Sequence, residues 1–487
     1  MPTNASTPSR PPADGPPPGP APVADPPPAR PSTWSLLQPL LLRLHFYAGV
    51  LVGPFLLVAA TTGLLYTTTP QLQQVVHGHE LTVDAVGPRT FALDEQVAAA
   101  RAAHPEGRVS EIRPAATPTG TTRVVLTVDD VPEGKARTVF VDPYTLEVRG
   151  ALTTYGEWLP VRWTLDDLHR NLLLGEPGRL YSELAASWLW VVVLGGVALW
   201  VTRTARRRRW SRLLVPETSA RGRRRLLSWH GPVGLVAALG LLVLSATGLT
   251  WSTYAGASIG DLRTALGWTT VSVDTALEPA DASADHGGGG HDHGPGAGAD
   301  DAQLTAGAGL NGVLAAARGE GLRDPLRLAP PADEHSAWVV AEAQRSWPTQ
   351  ADQIAVDGAT GAVVDRVDFA DQPLAAQLTR WGIDAHMGLL FGVVNQLVLA
   401  ALAIALIALV LLGYRMWWLR RPTRAGAPGA WLPPGALRRL PVPLTVLLLA
   451  VTALVGWYVP LLGIPLIAFL AVDVALAARA RRHARRP

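Results

Sequence analysis

Long apolar runs alternate with polar stretches along this chain. Runs at about residues 40–66, 183–202, 230–252, 392–414, 441–458 and 461–478 are each long enough, at 1.5 Å per residue, to cross a hydrocarbon core of roughly 30 Å. The pattern predicts six membrane-spanning helices, the last two forming a closing hairpin. Two long polar segments, 67–165 and 253–375, have a different period. The first reads FALDEQVAAARAAHPEGRVSEIRP, an amphipathic helix and a strand, then TRVVLTVD and RTVFVDPYTLEVRG, strands around a turn at Asp142-Pro143. The second ends WVVAEAQRSWPTQADQIAVDGATGAVVDRVDF, where Val356-Asp357 and Thr360 repeat Val141-Asp142 and Thr145 at the same spacing. Each predicts a small α+β module, one helix on a few antiparallel strands.

The apolar runs repeat as well. Gly49 and Thr62-Gly63-Leu64 follow His45 at the offsets at which Gly234 and Thr247-Gly248-Leu249 follow His230. Leu172, Leu173, Gly175, Gly196 and Trp200 follow His169 as Leu389, Leu390, Gly392, Gly413 and Trp417 follow His386. The chain is therefore a duplication of the unit span, module, span, with a hairpin added. The order predicted is a Pro-rich tail (1–35), span (36–66), module (67–165), histidine segment and span (166–202), Arg-rich loop (203–228), span (229–252), module with a Gly/His-rich insertion at 281–303 (253–375), histidine segment and span (376–416), loop (417–440), hairpin (441–480) and basic tail (481–487). The predicted fold class is an α-helical polytopic membrane protein with six transmembrane helices, two extracytoplasmic α+β modules and an internal duplication.

Charge sets the orientation. The formal net charge of +3 is concentrated in Arg clusters at 202–225, 415–439 and 479–486, separated by two spans each time. The positive-inside rule assigns all three, and both termini, to the cytoplasm of a plasma (inner) membrane protein. Read as topology signals and contacts to the lipid bilayer, the clusters give no case for nucleic acid. The Pro-rich first 33 residues have no apolar face and read as a disordered tail, and no signal-peptide pattern follows them. The chain has no cysteine, which removes disulfides, thiolate nucleophiles, Fe–S ligation and covalent haem attachment.

Four histidines stand out because the repeat pairs them. His45 and His230 begin their spans on the cytoplasmic side; His169 and His386 precede theirs on the outer side. A pseudo-two-fold packing brings the members of each pair together. One intramembrane histidine more often makes an interhelical hydrogen bond than a metal bond. Two facing pairs with no acid in the apolar register instead suit bis-histidine ligation of two haem b groups. Gly49, Gly234, Gly175 and Gly392, close to the histidines, offer room for a flat macrocycle. The 18 residues from His45 to Gly63 span roughly 27 Å of helix, so two such sites lie about 20 Å or more apart.

With LHRNLLLGEPGRL before one span, WHGPVGL opening another and DAHMGLLFGVVNQL before the next, the chain resembles the PepSY-associated transmembrane family over residues 36–480. That family includes iron-regulated inner-membrane proteins and ferric-siderophore reductases. The resemblance implies PepSY-like outer modules, His45, His230, His169 and His386 as haem ligands, and transmembrane electron transfer to a ferric chelate or other metal complex outside. No dinucleotide fingerprint occurs, and cytoplasmic loops near 25 residues are too short for a flavin domain. The electron donor is then a cytoplasmic protein, free reduced flavin or membrane quinol.

Other features leave alternatives open. His286, His291 and His293 lie among Gly and Asp in DASADHGGGGHDHGPGAGADDAQ, a stretch able to hold copper, nickel or zinc weakly, or simply a solvated linker. Metal handling through this loop is one alternative function; a membrane-anchored binding or protease-regulating protein without a cofactor is another. Asp473 lies inside the last span, where it snorkels, pairs with Arg479 or serves proton or quinol chemistry. Asp166, Asp167 and Asp384 are candidates to orient the outer imidazoles. Trp163 and Trp381 read as interfacial belt residues, with stacking on a cofactor as the minor reading.

Overall fold

The computed structural model describes residues 32–277, 299, 304, 307–419 and 440–484. The candidate metal residues His286, His291 and His293 lie outside the described residues. From the N-terminus run α1 (Thr33–Leu51), α2 (Gly53–Tyr66), the short α3 (Thr69–Val76) and α4 (Gly78–Leu81), and α5 (Leu93–Ala103). Four strands follow, β1 (Arg108–Arg113), β2 (Thr122–Thr127), β3 (Ala136–Val141) and β4 (Val148–Thr154). Then come α6 (Pro160–Asn171), α7 (Glu176–Arg206), α8 (Gly222–Leu249) and α9 (Tyr254–Ala265). The second half continues with α10 (Gly309–Gly319), β5 (Leu326–Ala329), β6 (Trp338–Glu342), β7 (Gln353–Val356) and β8 (Val363–Val367). It closes with α11 (Leu374–His386), α12 (Gly392–Trp418), α13 (Val442–Tyr458) and α14 (Pro460–Ala484).

Among the described residues α7, α8 and α12 are long and apolar enough to cross a membrane, and α1 with α2 makes a fourth span if the bent pair is counted as one. The hairpin helices α13 and α14 are apolar but shorter. The first predicted span is thus broken, by 58°. Pro54 explains the break: it has no N–H to give the Val50 carbonyl, which the Tyr414 hydroxyl takes instead at 2.7 Å. Gly53 leaves room for that phenol, since a Cβ there would stand 2.8 Å from its oxygen.

The helices pack around Ala48, Leu56, Trp188, Leu189, Ala237 and Leu241. The hairpin docks on this bundle through α7, where the Trp188 indole donates to Leu461 O at 3.1 Å, and through α1. Asp473 neither snorkels nor pairs with Arg479. It makes a salt bridge with Arg43 of α1, both side chains being buried, and so ties the added hairpin to the duplicated core. Paired in this way, each charge offsets the other's loss of solvent.

The two α+β units are not separate bodies. They share one eight-stranded sheet, ordered β4-β3-β2-β1-β5-β6-β7-β8, in which β1 and β5 run antiparallel at the centre with Ile112 opposite Leu328. The order reads the same for either half, outward from the join. Each half contributes one helix, α5 or α10, to a common core of Val97, Ile112, Leu126, Val313, Leu328 and Ile354. The helices also cap each other: Asp94 Oδ1 accepts from the N–H of Leu310 at 3.0 Å, and Asn311 Oδ1 from that of Leu93 at 2.8 Å. The repeated turns match too, Asp142 accepting from the N–H of Tyr144 and Asp357 from that of Ala359, both at 2.8 Å.

Candidate functional site: two histidine-lined cavities

Two large cavities open into the helix bundle, and each is lined by one histidine pair. The cavity nearer the sheet, about 490 Å³, is lined by His169 and His386 with Gly63, Gly248, Tyr66 and Trp251. The far cavity, about 510 Å³, is lined by His45 and His230 with Gly49, Gly196, Gly234 and Gly413. Both volumes fall within the roughly 300–1,000 Å³ usual for cofactor sites.

Short helices carry the sheet-side pair. His169 lies on α6 and His386 ends α11, so neither sits on a long apolar helix. Each Nδ1 meets a threonine hydroxyl from the opposite wall, His169 with Thr62 at 2.9 Å and His386 with Thr247 at 2.7 Å. Those hydroxyls donate their own protons to backbone carbonyls one turn back, Thr62 to Val58 O at 2.9 Å and Thr247 to Val243 O at 2.7 Å. The threonine can then only accept, so Nδ1 carries the proton and Nε2 keeps a bare lone pair. Burial holds His169 down to about 4, and burial together with His169 holds His386 down to about 3, so both rings are neutral at pH 7.

In the far cavity a carbonyl does the same work. His45 Nδ1 donates to Val192 O on α7 at 3.0 Å, and a carbonyl has no proton to return, so Nε2 is again the free nitrogen. His230 on α8 differs. Its buried Nδ1 faces the Leu409 backbone, at the position that repeats Val192, but in a looser geometry than His45 has with Val192. The His45 and His230 ring centroids lie 6.4 Å apart with planes at 76°. The cavity follows the ring closely, because a Cβ at Gly196 would stand 2.9 Å from His45 Cε1, as one at Gly63 would stand 3.1 Å from His169 Cε1.

Of the glycines named from sequence, Gly49 and Gly234 line the far cavity, and a Cβ on Gly49 would meet nothing within 4 Å. Gly175 and Gly392 line neither cavity. They start α7 and α12 with φ of +64° and +56°, a backbone conformation that favours glycine. Trp163 and Trp381 are also outside the cavities: Lys135 lies 3.0 Å from the Trp163 ring centroid, and Trp381 packs on Trp347 at 5.5 Å. The aromatic contacts to the imidazoles come instead from Tyr66, stacked on His169 at 6.5 Å, and Trp251, edge-on to His386 at 5.3 Å.

The acids expected to orient the outer imidazoles serve elsewhere. Asp384, fully buried, accepts from Arg345 at 2.8 Å and Arg380 at 2.9 Å, and Arg345 also reaches Glu157 at 2.5 Å. This cluster ties both halves of the sheet to α11, with Asp384 two residues before His386. Burial alone would raise the Glu157 carboxyl, but Arg345, Arg113, Arg162 and Arg380 outweigh it and hold the group well below the usual carboxylate range. Asp166, on the sheet-side wall, is pushed by burial up to about 6, against the pull of Arg170. Asp167 pairs with Arg170 at 3.3 Å.

Sequence reasoning missed Thr62 and Thr247 as imidazole partners, although their place in the repeat was visible. It also missed Glu183, which has no counterpart in the second half. Buried on the sheet-side wall, its carboxylate accepts from the N–H groups of Thr253, Tyr254 and Ala255, which open α9.

These features define a membrane-type helical protein with three to four apolar spans and an antiparallel sheet. The profile of the PepSY-associated TM region matches residues 42–420, and the chain belongs to that family. No curated protein matches it.

Proposed function

We propose that the protein is a six-span, plasma-membrane dihaem protein that carries electrons across the bilayer to reduce a ferric-siderophore or similar metal complex on the sheet side. The observation that carries this reading is the set of imidazoles whose Nδ1 protons are committed to Val192 O, Thr62 and Thr247, leaving Nε2 lone pairs at the cavities. An interhelical hydrogen-bonding role would satisfy those nitrogens instead.

The residues fit haem b better than a bare ion. Among the described residues no three His, Cys, Asp or Glu side chains gather to hold a metal, whereas a macrocycle supplies the remaining donors and asks the protein for only two. The ring centroids of His45 and His230 stand 6.4 Å apart, near enough for one haem to take a nitrogen from each. His45 with His230, and His169 with His386, would hold one haem each, and each haem supplies a one-electron couple. Thr62, Thr247 and Val192 O hold the rings in the ligating tautomer. The 58° break between α1 and α2 lets one span serve both cavities. The Arg clusters support a far cavity at the cytoplasmic face, where a cytoplasmic protein, reduced flavin or quinol would be the donor.

The test is a visible spectrum of the purified protein, oxidised and dithionite-reduced, with haem counted per chain, followed by ferric-chelate reduction. Two low-spin b-type haems per chain and reduction lost on His169→Ala or His386→Ala are expected. A colourless protein from haem-supplied cells would return the histidines to packing and favour the cofactor-free binding reading, with the sheet as the binding element. Deleting the His-rich insertion is expected to leave the haem count unchanged.

A further inference from the structure

The cavities are matched in size and in imidazoles but not in charge. Arg203, Arg206 and Arg207, where α7 ends, and Arg223 of α8 line the far cavity, and among the described residues its wall has no Asp or Glu. Glu217, between α7 and α8, is engaged by Arg224 at 2.9 Å. The sheet-side wall also has arginines, Arg170, Arg179 and Arg263, but it carries Asp166 and Glu183 as well. Two of those arginines already face acids, Arg170 with Asp167 at 3.3 Å and Arg179 with Glu176 at 3.9 Å. One cavity is net cationic and the other is close to balanced.

Resting on the dihaem reading, we infer that Arg203, Arg206 and Arg207 take the two propionate carboxylates of the far-cavity haem and make that site the higher-potential of the two. Arginine's fork suits a carboxylate, and three arginines exceed two carboxylates. The three side chains are exposed at the cavity's mouth, where water weakens their field, but surplus positive charge there still favours the state with the extra electron, and the sheet-side carboxylates, Glu183 buried and Asp166 partly so, oppose it. Electrons therefore collect at the far site. Moving them toward the sheet is uphill within the protein and draws on a membrane potential negative on the cytoplasmic side.

Equilibrium redox titration of the full-length holoprotein in detergent, followed by absorbance and with haem counted first, tests the order. Two midpoints are expected. The haem left in His386→Ala, at the far site, should titrate above the haem left in His230→Ala. In the otherwise intact protein, Arg203→Gln should lower the upper midpoint alone, and Asp166→Asn should raise the lower one alone. Where a single-haem variant does not fold, these two substitutions decide the matter. Equal or reversed midpoints, or substitutions that move neither, overturn the assignment while leaving the dihaem reading intact. A wild-type protein without haem overturns that reading and this one with it.

Discussion

The two cavities are built from the same repeat and hold their imidazoles by different means. Near the sheet the partner of Nδ1 is a side chain, the hydroxyl of Thr62 or Thr247. In the far cavity the partner of His45 is the backbone of α7. A backbone carbonyl cannot be changed by substitution, while a threonine can, so one site is fixed by helix geometry and the other is open to tuning. Among the described residues only the sheet-side site, moreover, is braced by a buried ionic cluster reaching into both halves of the sheet.

The largest expected effect separates the cavities outright. His230→Ala should lose the far haem and keep the other, and His386→Ala the reverse, each read as one haem per chain; loss of both from either variant would show that the sites do not load independently. Next comes Asp384→Ala, which leaves Arg345 and Arg380 without their shared acid. Breaking a buried pair costs about 3–5 kcal/mol, so a large drop in thermal stability is expected, with the sheet-side spectrum changed before the far one. Filling the glycine cradles should be milder. Gly196→Val presses on His45 and Gly63→Val on His169, at about 1–3 kcal/mol each, and each should perturb the spectrum of its own cavity only.

Smaller still is Thr62→Val. It removes one hydrogen bond to His169, worth about 1 kcal/mol, and should shift the sheet-side midpoint while the far one stays in place. The slightest effect is a pH slope. Asp166 is raised to about 6 when folded, so the folded state binds its proton more tightly than the unfolded chain does. Its contribution favours folding at low pH and is lost as pH rises from about 4 through 6; Asp166→Asn should flatten denaturation midpoints across that window.

The repeat made much of the site legible. Identical offsets from His45 and His230, and from His169 and His386, pointed to the pairs, and the structure seats each pair at one cavity. Thr62 and Thr247 stood in the same pattern but were unread, because a threonine in an apolar helix reads as filler unless its partner is known. The break at Gly53-Pro54 was present in the letters, yet the run around it is apolar enough to pass for one straight span. Asp473 was recognised as needing a partner, and nearness in sequence suggested Arg479 rather than Arg43, which is distant along the chain. Strand periodicity showed both sheet halves but not their fusion, since register between strands so far apart leaves no local signature.

That fusion has a consequence for how the protein is made. The second edge of β1 is completed by β5 and Ala299, roughly 200 residues further along. At synthesis rates of about 5–20 residues per second, the first half waits on the order of ten to forty seconds with a bare central strand. For that interval the nascent chain presents a hydrogen-bonding edge to whatever else is nearby, and a neighbouring nascent copy offers the same strand.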